Sequence, residues 1–591
     1  MHKSESVDYE SDDKELRISR ARAFPRIIGS SMTSALRRGF PRDTHELSGM
    51  KTGVTPGLWL FATAFIAIIV TTVAFRFSAS SLWDDAFMFV RYADNILTSG
   101  TVSFNPGGEA TYGLTSLAFL GVVLPIWMIF PDSPVLTMII ASAVCGFLFV
   151  GILIVLLKKY VASKSAQLRN VAIVLILFSL AYAIGNFSTH FVSGMDTMFA
   201  LAFVTVYILI SKWHEHSLSQ LSMWLTGCMG GLAFAVRPDI MIYTAILPVT
   251  SLLFSSSRKA RVMAMGILMV TGIVALLQIL IYAQYLNSPL PLPFYAKGLK
   301  LYGNAIQEQY RLTPWRELHN YVFSFPLLFS VIGIAFILDP RDWWKKLSST
   351  DKGLLVSTII FSGYYLFFVL QVMYYSQRFY YPTLPALAFL AAQSFVFIVE
   401  KPLLSSVLHR DAIRRLLRAV LIMAAIFYML KNVDSVSEKT VVLLKGRALE
   451  RYHFDIKKDY RERYSHFWFC LDQVSSLPDD LSIATSEVGH PLAMNPKKVI
   501  IDLTGLNETM IAHNGFSADR FFQHYQPDLI YMPHPHYQDI IQQISHNPYF
   551  LSHYEYFSSS VLSATVGIAI KRDSKYYVRL REIVESATDA T

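Results

Sequence analysis

Twelve apolar runs recur along the chain, near 57–76, 113–130, 134–157, 169–187, 195–211, 219–236, 240–256, 261–285, 320–338, 353–372, 380–399 and 415–430. A helix needs roughly 20 apolar residues to cross the ~30 Å hydrocarbon core of a bilayer. Inside lipid, each backbone N–H and C=O must be satisfied within the segment, so runs of this length are expected to be helices. The expected fold is therefore a polytopic α-helical membrane protein. Composition agrees: 53% of the 591 residues are hydrophobic and 16% charged, where a soluble domain carries about 25% charged.

The net charge of +9 does not point to nucleic acid, and no nucleic-acid partner is expected. Lys and Arg sit mostly in short links between the runs, such as "KKYVASKSAQLR", "SSSRKAR", "RDWWKK" and "HRDAIRRLLR", as the positive-inside rule predicts. Residues 1–55 are polar and basic and read as a cytoplasmic tail, with no cleavable signal expected. If both 113–130 and 134–157 cross, the basic links at "KKYVASKSAQLR", "SSSRKAR" and "HRDAIRRLLR" face outward. If 113–130 is instead a juxtamembrane or re-entrant helix, these links and "RDWWKK" return to the cytoplasm. That choice predicts about eleven spans. It divides the chain into a tail (1–55), a transmembrane region (56–430) with outer loops at 77–133 and 286–319, and an extracytoplasmic region (431–591), all in a multi-pass inner membrane protein.

The C-terminal region changes character. "DDLSIATSEVGHPLAMNPKKVIIDLTGLNE" alternates short apolar runs with a Gly turn, "QPDLIYMPH" and "SVLSATVGIAIKR" are strand-like, and "YQDIIQQISHN" has helical spacing; together they predict a small α/β domain. The three cysteines have no disulfide or zinc spacing.

With that topology, polar residues collect on the outer face: Asp84, Asp85, Arg91, Asp94 and Glu109 in the first loop, His190 and Asp196 in "GNFSTHFVSGMDT", Arg237 in "AVRPD", Lys297 and Lys300 in the long loop, and Arg378 in "MYYSQRFYYP". Cations at headgroup level can hold a phosphate, Arg as a planar fork and Lys as a point charge. A neighbouring carboxylate can take the proton of an attacking hydroxyl. Such a face suits group transfer from a lipid phosphate. Each residue also has a structural reading. Asp84 and Asp85 suit a helix N-terminus, Arg91 an interface anchor, and Asp196 a first-turn acid. Arg237 can snorkel, Tyr374–Tyr375 and Tyr380–Tyr381 suit an aromatic belt, and Asp502 suits a turn.

"WDDAFMFVRYADNILTSGTVSFNPGGEATYGLTS" resembles the first-loop signature of a bacterial branch of the GT-C membrane glycosyltransferases, the branch that holds the mycobacterial terminal β-(1→2) arabinofuranosyltransferase. The pattern falls on Asp84, Asp85, Arg91, Tyr92, Asn95, Phe104, Asn105, Pro106, Glu109, Tyr112, Gly113, Thr115 and Ser116. "SGMDT", "VRPD", "PLPFYAKG", "SQRFYYPTLP" and "VIIDLTGLNE" are similar to later motifs of that family in the same order. Departures lie at Leu117–Phe119, at Asp196 in place of Glu, and at Leu292–Pro293 in place of Asn-Thr.

The resemblance implies a GT-C fold with an α/β domain outside, a polyprenyl-phosphate sugar as donor, and inverting transfer to a cell-envelope glycan, lipid or protein. It implies Asp84 as general base with Asp85 as partner, and Lys297, Arg237 and Arg378 at the donor phosphate. Glu109, Tyr112, His190, Asp196 and Tyr295 would lie at the sugar or acceptor. It requires no cofactor. A divalent metal on the Asp pair is conceivable, but Lys and Arg can neutralise a monophosphate, so a metal-independent site is expected. Two other classes stay open. A transporter or lipid-linked-glycan flippase would show repeats and midplane charges, whereas these charges lie at span ends. A non-catalytic relative would use the outer domain alone.

Overall fold

The computed structural model describes residues 69–70, 72–74, 76, 81–163, 165–298, 313–369, 376–401, 473–535, 537–558 and 567–589. The tail 1–55, the run 415–430, Lys300, Tyr374, Tyr375 and Cys470 lie outside the described residues, as does most of the run 57–76. The helical region and the C-terminal α/β segment belong to one compact unit.

The helical region opens with α1 (Ala86–Ser99), a 3₁₀ turn (Leu117–Phe119), α2 (Leu120–Ile129) and α3 (Pro134–Tyr160). It continues with α4 (Ala166–Tyr182), α5 (Ile184–Val192), α6 (Thr197–Ser217), α7 (Gln220–Val236), α8 (Met241–Phe254) and α9 (Arg258–Tyr285). The short α10 (Leu292–Gly298) precedes α11 (Thr313–Ser324), α12 (Pro326–Leu338), α13 (Ser349–Phe367) and α14 (Leu384–Glu400).

Among the described residues, four helices are long and apolar enough to cross a membrane: α3, α6, α9 and Tyr381–Glu400, which contains α14. The runs 169–187 and 320–338, each expected to be one span, fall on bent helix pairs: α4 against α5 by 79° and α11 against α12 by 85°, making up to six crossings if each pair is one span. The run 113–130 forms the short apolar helix Leu117–Ile129, roughly 20 Å long at 1.5 Å per residue.

Local sequence explains the ends of the long helices. Pro134 starts α3 and Lys158 and Lys159 sit in its last turn, where cations suit the helix dipole. Ser257 caps α9 by accepting from the Ala260 N–H. α7 and α9 approach closely because α7 offers glycines: a Cβ on Gly227 would lie 2.6 Å from Val270, and one on Gly230 2.5 Å from the Thr271 hydroxyl. Small residues permit such backbone approach in membrane bundles. On its other side α9 exposes Val262, Met265, Met269, Ile273, Leu276 and Leu280, an apolar stripe at helical spacing suited to lipid rather than water.

The C-terminal segment is a five-stranded mixed sheet in the order β2-β1-β3-β5-β4. Its strands are β1 (Ser482–Thr485), β2 (Val499–Asp502), β3 (Leu529–Tyr531), β4 (Tyr554–Ser558) and β5 (Gly567–Lys571). β1 pairs in parallel with both β2 (Ile483 opposite Ile500) and β3 (Ile483 opposite Leu529). β5 runs antiparallel to β3 and β4. Helix α15 (His490–Met494) links β1 to β2, α16 (Thr509–Asn514) follows β2, and α17 (Gln538–Ser545) follows β3. The expected strands and the helix at 538–545 are present; β4 is an addition, since "YEYFS" carries no Gly or Pro boundary that marks it.

Candidate active site at the junction of the bundle and the sheet

The first loop is held by backbone contacts that fix the Asp pair. The Trp83 N–H donates to the Ser193 carbonyl at 3.0 Å. Gly194 has φ +74°, and a Cβ there would lie 2.6 Å from Leu82, 2.7 Å from Ala86 and 3.0 Å from Met138, so the "SGM" turn packs directly under the Asp84–Asp85 corner. Asp85 is the N-cap of α1, yet its side chain makes no capping bond. Its Oδ2 instead faces the Arg378 Nη2 at 3.5 Å. The Arg378 guanidinium lies over the rings of Trp83 (5.7 Å) and Phe379 (4.9 Å), which fixes its plane. The Asp84 Oδ2 accepts from the Gly489 N–H of the α/β segment at 3.2 Å.

Lys297, in α10, is half-buried beside the charges of Arg378, Asp85 and Arg237. Burial, reinforced by Arg378 and opposed by Asp85, lowers its pKa to about 8. No hydrogen bond or ion pair engages it among the described residues. Its helix is anchored by the Leu292 N–H on the Tyr112 carbonyl at 2.7 Å and by Tyr295 against the His513 ring at 4.2 Å.

Arg237 is engaged differently from the other two cations. Its Nε and Nη2 hold Asp239 at 3.1 and 2.7 Å, and the Tyr365 hydroxyl donates to the same carboxylate at 2.5 Å. Its charge acts at a distance, on Lys297 and on the buried Asp196. Asp196 is the N-cap of α6 but makes no side-chain capping bond.

Other expected residues fall into distinct places. Tyr112 is fully buried, its ring 5.0 Å from Tyr282, and its hydroxyl has no hydrogen-bond partner among the described residues. His190 is buried against Trp83 and Tyr381, with Nε2 on the Ser376 carbonyl at 3.0 Å. Glu109 is exposed, with Tyr525 of the α/β segment within its electrostatic reach. Tyr380 and Tyr381, which suited an aromatic belt, are fully buried against Tyr321; the turn that precedes α14 packs them on α11 and away from the interface.

Arg91, which suited an interface anchor, is buried and serves as a clamp between the first loop and the α/β segment. Its Nε donates to the Phe104 carbonyl at 2.6 Å and its Nη2 to the Asn105 Oδ1 at 2.9 Å. The same guanidinium reaches the carbonyls of Asn495 (3.1 Å), Pro496 (3.0 Å) and Lys498 (2.6 Å). Asn105 completes the seam by bridging the Ile500 N–H and C=O, each at 2.9 Å. Asp502 is a turn residue, as its position suggested: its carboxylate accepts from Thr504 and Asn507, two bonds each.

One acid escaped the sequence reading. Glu487, two residues past β1, lies within electrostatic range of Asp85. Its segment "ATSEVGH" reads as a polar turn, and only the parallel pairing of β1 brings that turn to the Asp pair. Among the described residues, no group of three or more His, Cys, Asp or Glu is placed to hold a metal ion.

No family model matches the chain, and no curated protein matches it. Among solved structures the chain is similar to ArnT from Cupriavidus metallidurans bound to undecaprenyl phosphate, at 12% identity and TM-score 0.47 over 87% of this chain and 98% of that one. It is also similar to the archaeal oligosaccharyltransferase AglB from Archaeoglobus fulgidus in complex with an inhibitory peptide and a dolichol-phosphate, at 12% identity and TM-score 0.44 over 88% of this chain and 75% of that one. Similarity at this level assigns no activity to this chain.

Proposed function

We propose that this chain is a multi-pass membrane glycosyltransferase that moves a sugar from a polyprenyl-phosphate donor to a hydroxyl of a cell-envelope acceptor, on the extracytoplasmic side of the inner membrane. The observation that carries this reading is Lys297, a half-buried cation with no partner among the described residues, set beside the Asp85–Arg378 pair. A cation depressed by burial and by a second cation gains when an anion arrives. A lipid monophosphate supplies that anion at headgroup depth.

In this reading Lys297 and Arg378 hold the donor phosphate, and Arg237 adds to the field while tied to Asp239. The acceptor oxygen attacks the anomeric carbon, and the bond from that carbon to the phosphate oxygen breaks. The phosphate leaves with the electron pair, its charge met by the two cations. Asp84 takes the acceptor proton, and attack opposite the leaving group inverts the anomeric centre. Asp85, ion-paired to Arg378, orients the cation. The same two cations supply the positive charge that phosphate departure needs, so the reaction is read as metal-independent. The first-loop motif makes a polyprenyl-phosphate pentofuranose the first donor to try.

The test is single-turnover transfer by purified protein from a panel of radiolabelled polyprenyl-phosphate sugars, with and without EDTA. Asp84→Asn is expected to lower the rate by about 10²–10⁴-fold, the usual worth of a general base, while donor binding persists. Lys297→Met is expected to weaken donor binding. Substrate flux across proteoliposomes with no donor turned over would instead identify a transporter.

A further inference from the structure

Resting on the glycosyltransferase reading, we propose that Glu487 is an acceptor-binding acid of this site: a carboxyl group, presented by the sheet to the Asp pair, that donates a hydrogen bond to a hydroxyl of a carbohydrate acceptor. The first ground is its place in the fold. β1 lies between β2 and β3, parallel to both, so the chain leaves β1 toward one neighbour and returns to the other. The crevice outside the carboxyl ends of β1 and β3 is a topological switch point, where open α/β sheets bind ligands. Glu487 stands on the loop at that crevice.

The second ground is that the loop is a built one. The Glu487 N–H donates to the Thr485 Oγ1 at 3.1 Å, the His534 N–H from the loop after β3 donates to the Ser486 Oγ at 3.0 Å, and the Gly489 N–H donates to Asp84 at 3.2 Å. Gly489 lies so close to the Asp84 backbone that a Cβ there would stand 2.5 Å from the Asp84 Cγ. The switch-point crevice therefore opens directly onto the proposed base.

The third ground is charge. Two adjacent carboxylates do not both ionise cheaply. Asp85 has Arg378, while no cation pairs with Glu487 among the described residues. Asp85 on the bundle side and Asp502 at the end of β2 act on Glu487, and the Ser486 hydroxyl donates to its Oε1 at 3.5 Å; Asp84 is met two residues on, at the Gly489 N–H, and His534 stands on the loop after β3. Burial first, then the charge of Asp85, raises the Glu487 pKa to about 7. Below that pH it is a neutral acid with an O–H to give; above it the group can only accept. A sugar hydroxyl held there lies between the sheet and Asp84, where deprotonation is required.

The experiment measures binding by the full-length protein in nanodiscs at pH 6 and pH 8, with two probes: undecaprenyl phosphate, and a panel of soluble arabinan, mannan and glucan oligosaccharides. For wild type, one oligosaccharide is expected to bind and to weaken about tenfold from pH 6 to pH 8, as one ionisation near 7 dictates. Glu487→Gln, which keeps a donor but cannot ionise, is expected to bind it equally at both pH values. Glu487→Ala is expected to lose it, and both variants to hold undecaprenyl phosphate and melt as wild type does. The same pH slope in Glu487→Gln, undiminished oligosaccharide binding by Glu487→Ala, or no oligosaccharide bound by a wild type that holds undecaprenyl phosphate overturns the assignment. Failure of wild type to bind undecaprenyl phosphate counts against the glycosyltransferase reading alone, because the oligosaccharide arm is scored separately.

Discussion

Replacing Arg91 with lysine isolates the seam between the first loop and the sheet. The substitution keeps a positive charge, and burial already lowers the guanidinium pKa without removing that charge at neutral pH. An ammonium has three donors, while Arg91 serves five acceptors, on Phe104, Asn105, Asn495, Pro496 and Lys498. At least two of these five acceptors, three buried and two part-buried, are left unserved. A hydrogen bond from a charged donor contributes about 1.5–3 kcal/mol, so the seam should weaken by roughly 3 kcal/mol. At 1.36 kcal/mol per tenfold, its opening constant rises on the order of 100-fold. The amide to follow is Ile500, whose N–H crosses the seam to the Asn105 Oδ1 at 2.9 Å. Native-state hydrogen exchange in nanodiscs should lose protection there by about that factor, with amides of α9 unchanged. Unaltered exchange at Ile500, or equal loss through the bundle, refutes the clamp.

Gly489→Ala should lower single-turnover transfer by about 10²-fold, because the new Cβ would overlap the Asp84 carbonyl oxygen, the Asp84 backbone must shift, and misplacement of a reacting group by ~1 Å costs that much; an unaffected rate would sink the assignment. Lys297 predicts two pH effects. Its folded pKa of about 8 lies below the ordinary 10.5, so between those values the unfolded chain holds the proton more tightly and this group's contribution to stability rises with pH. Binding of undecaprenyl phosphate at pH 8 should therefore take up as much as about half a proton, read by calorimetry in buffers of differing ionisation enthalpy. Lys297→Met should abolish that uptake, and proton release by wild type would contradict the pairing.

Hydropathy made the helical plan legible, and the strand-like runs after residue 480 made most of the sheet legible, because both signals are local. Bends were not: the breaks at α4–α5 and α11–α12 lie within runs that read as continuous. Asp85, Arg378 and Lys297 were legible as charges that a span end does not tolerate without cause. Arg237 was legible as a charge, but its pairing with Asp239, two residues on in "VRPD", came only with the structure. Glu487 was hidden because its role depends on pairing between Ile483, Ile500 and Leu529. Arg91 misled for a related reason, since three of its five acceptors lie about 400 positions away along the chain.

That separation bears on the order of assembly. A nascent chain can have all of α1–α14 out of the ribosome before Glu487 or Gly489 has been synthesised. Until the sheet forms, Asp84 lacks the Gly489 N–H and Arg91 lacks three of its carbonyls. The first loop must then wait as an incomplete half of its own site. Membrane insertion and acquisition of activity become separate events in biogenesis, with docking of the sheet as the step that joins them.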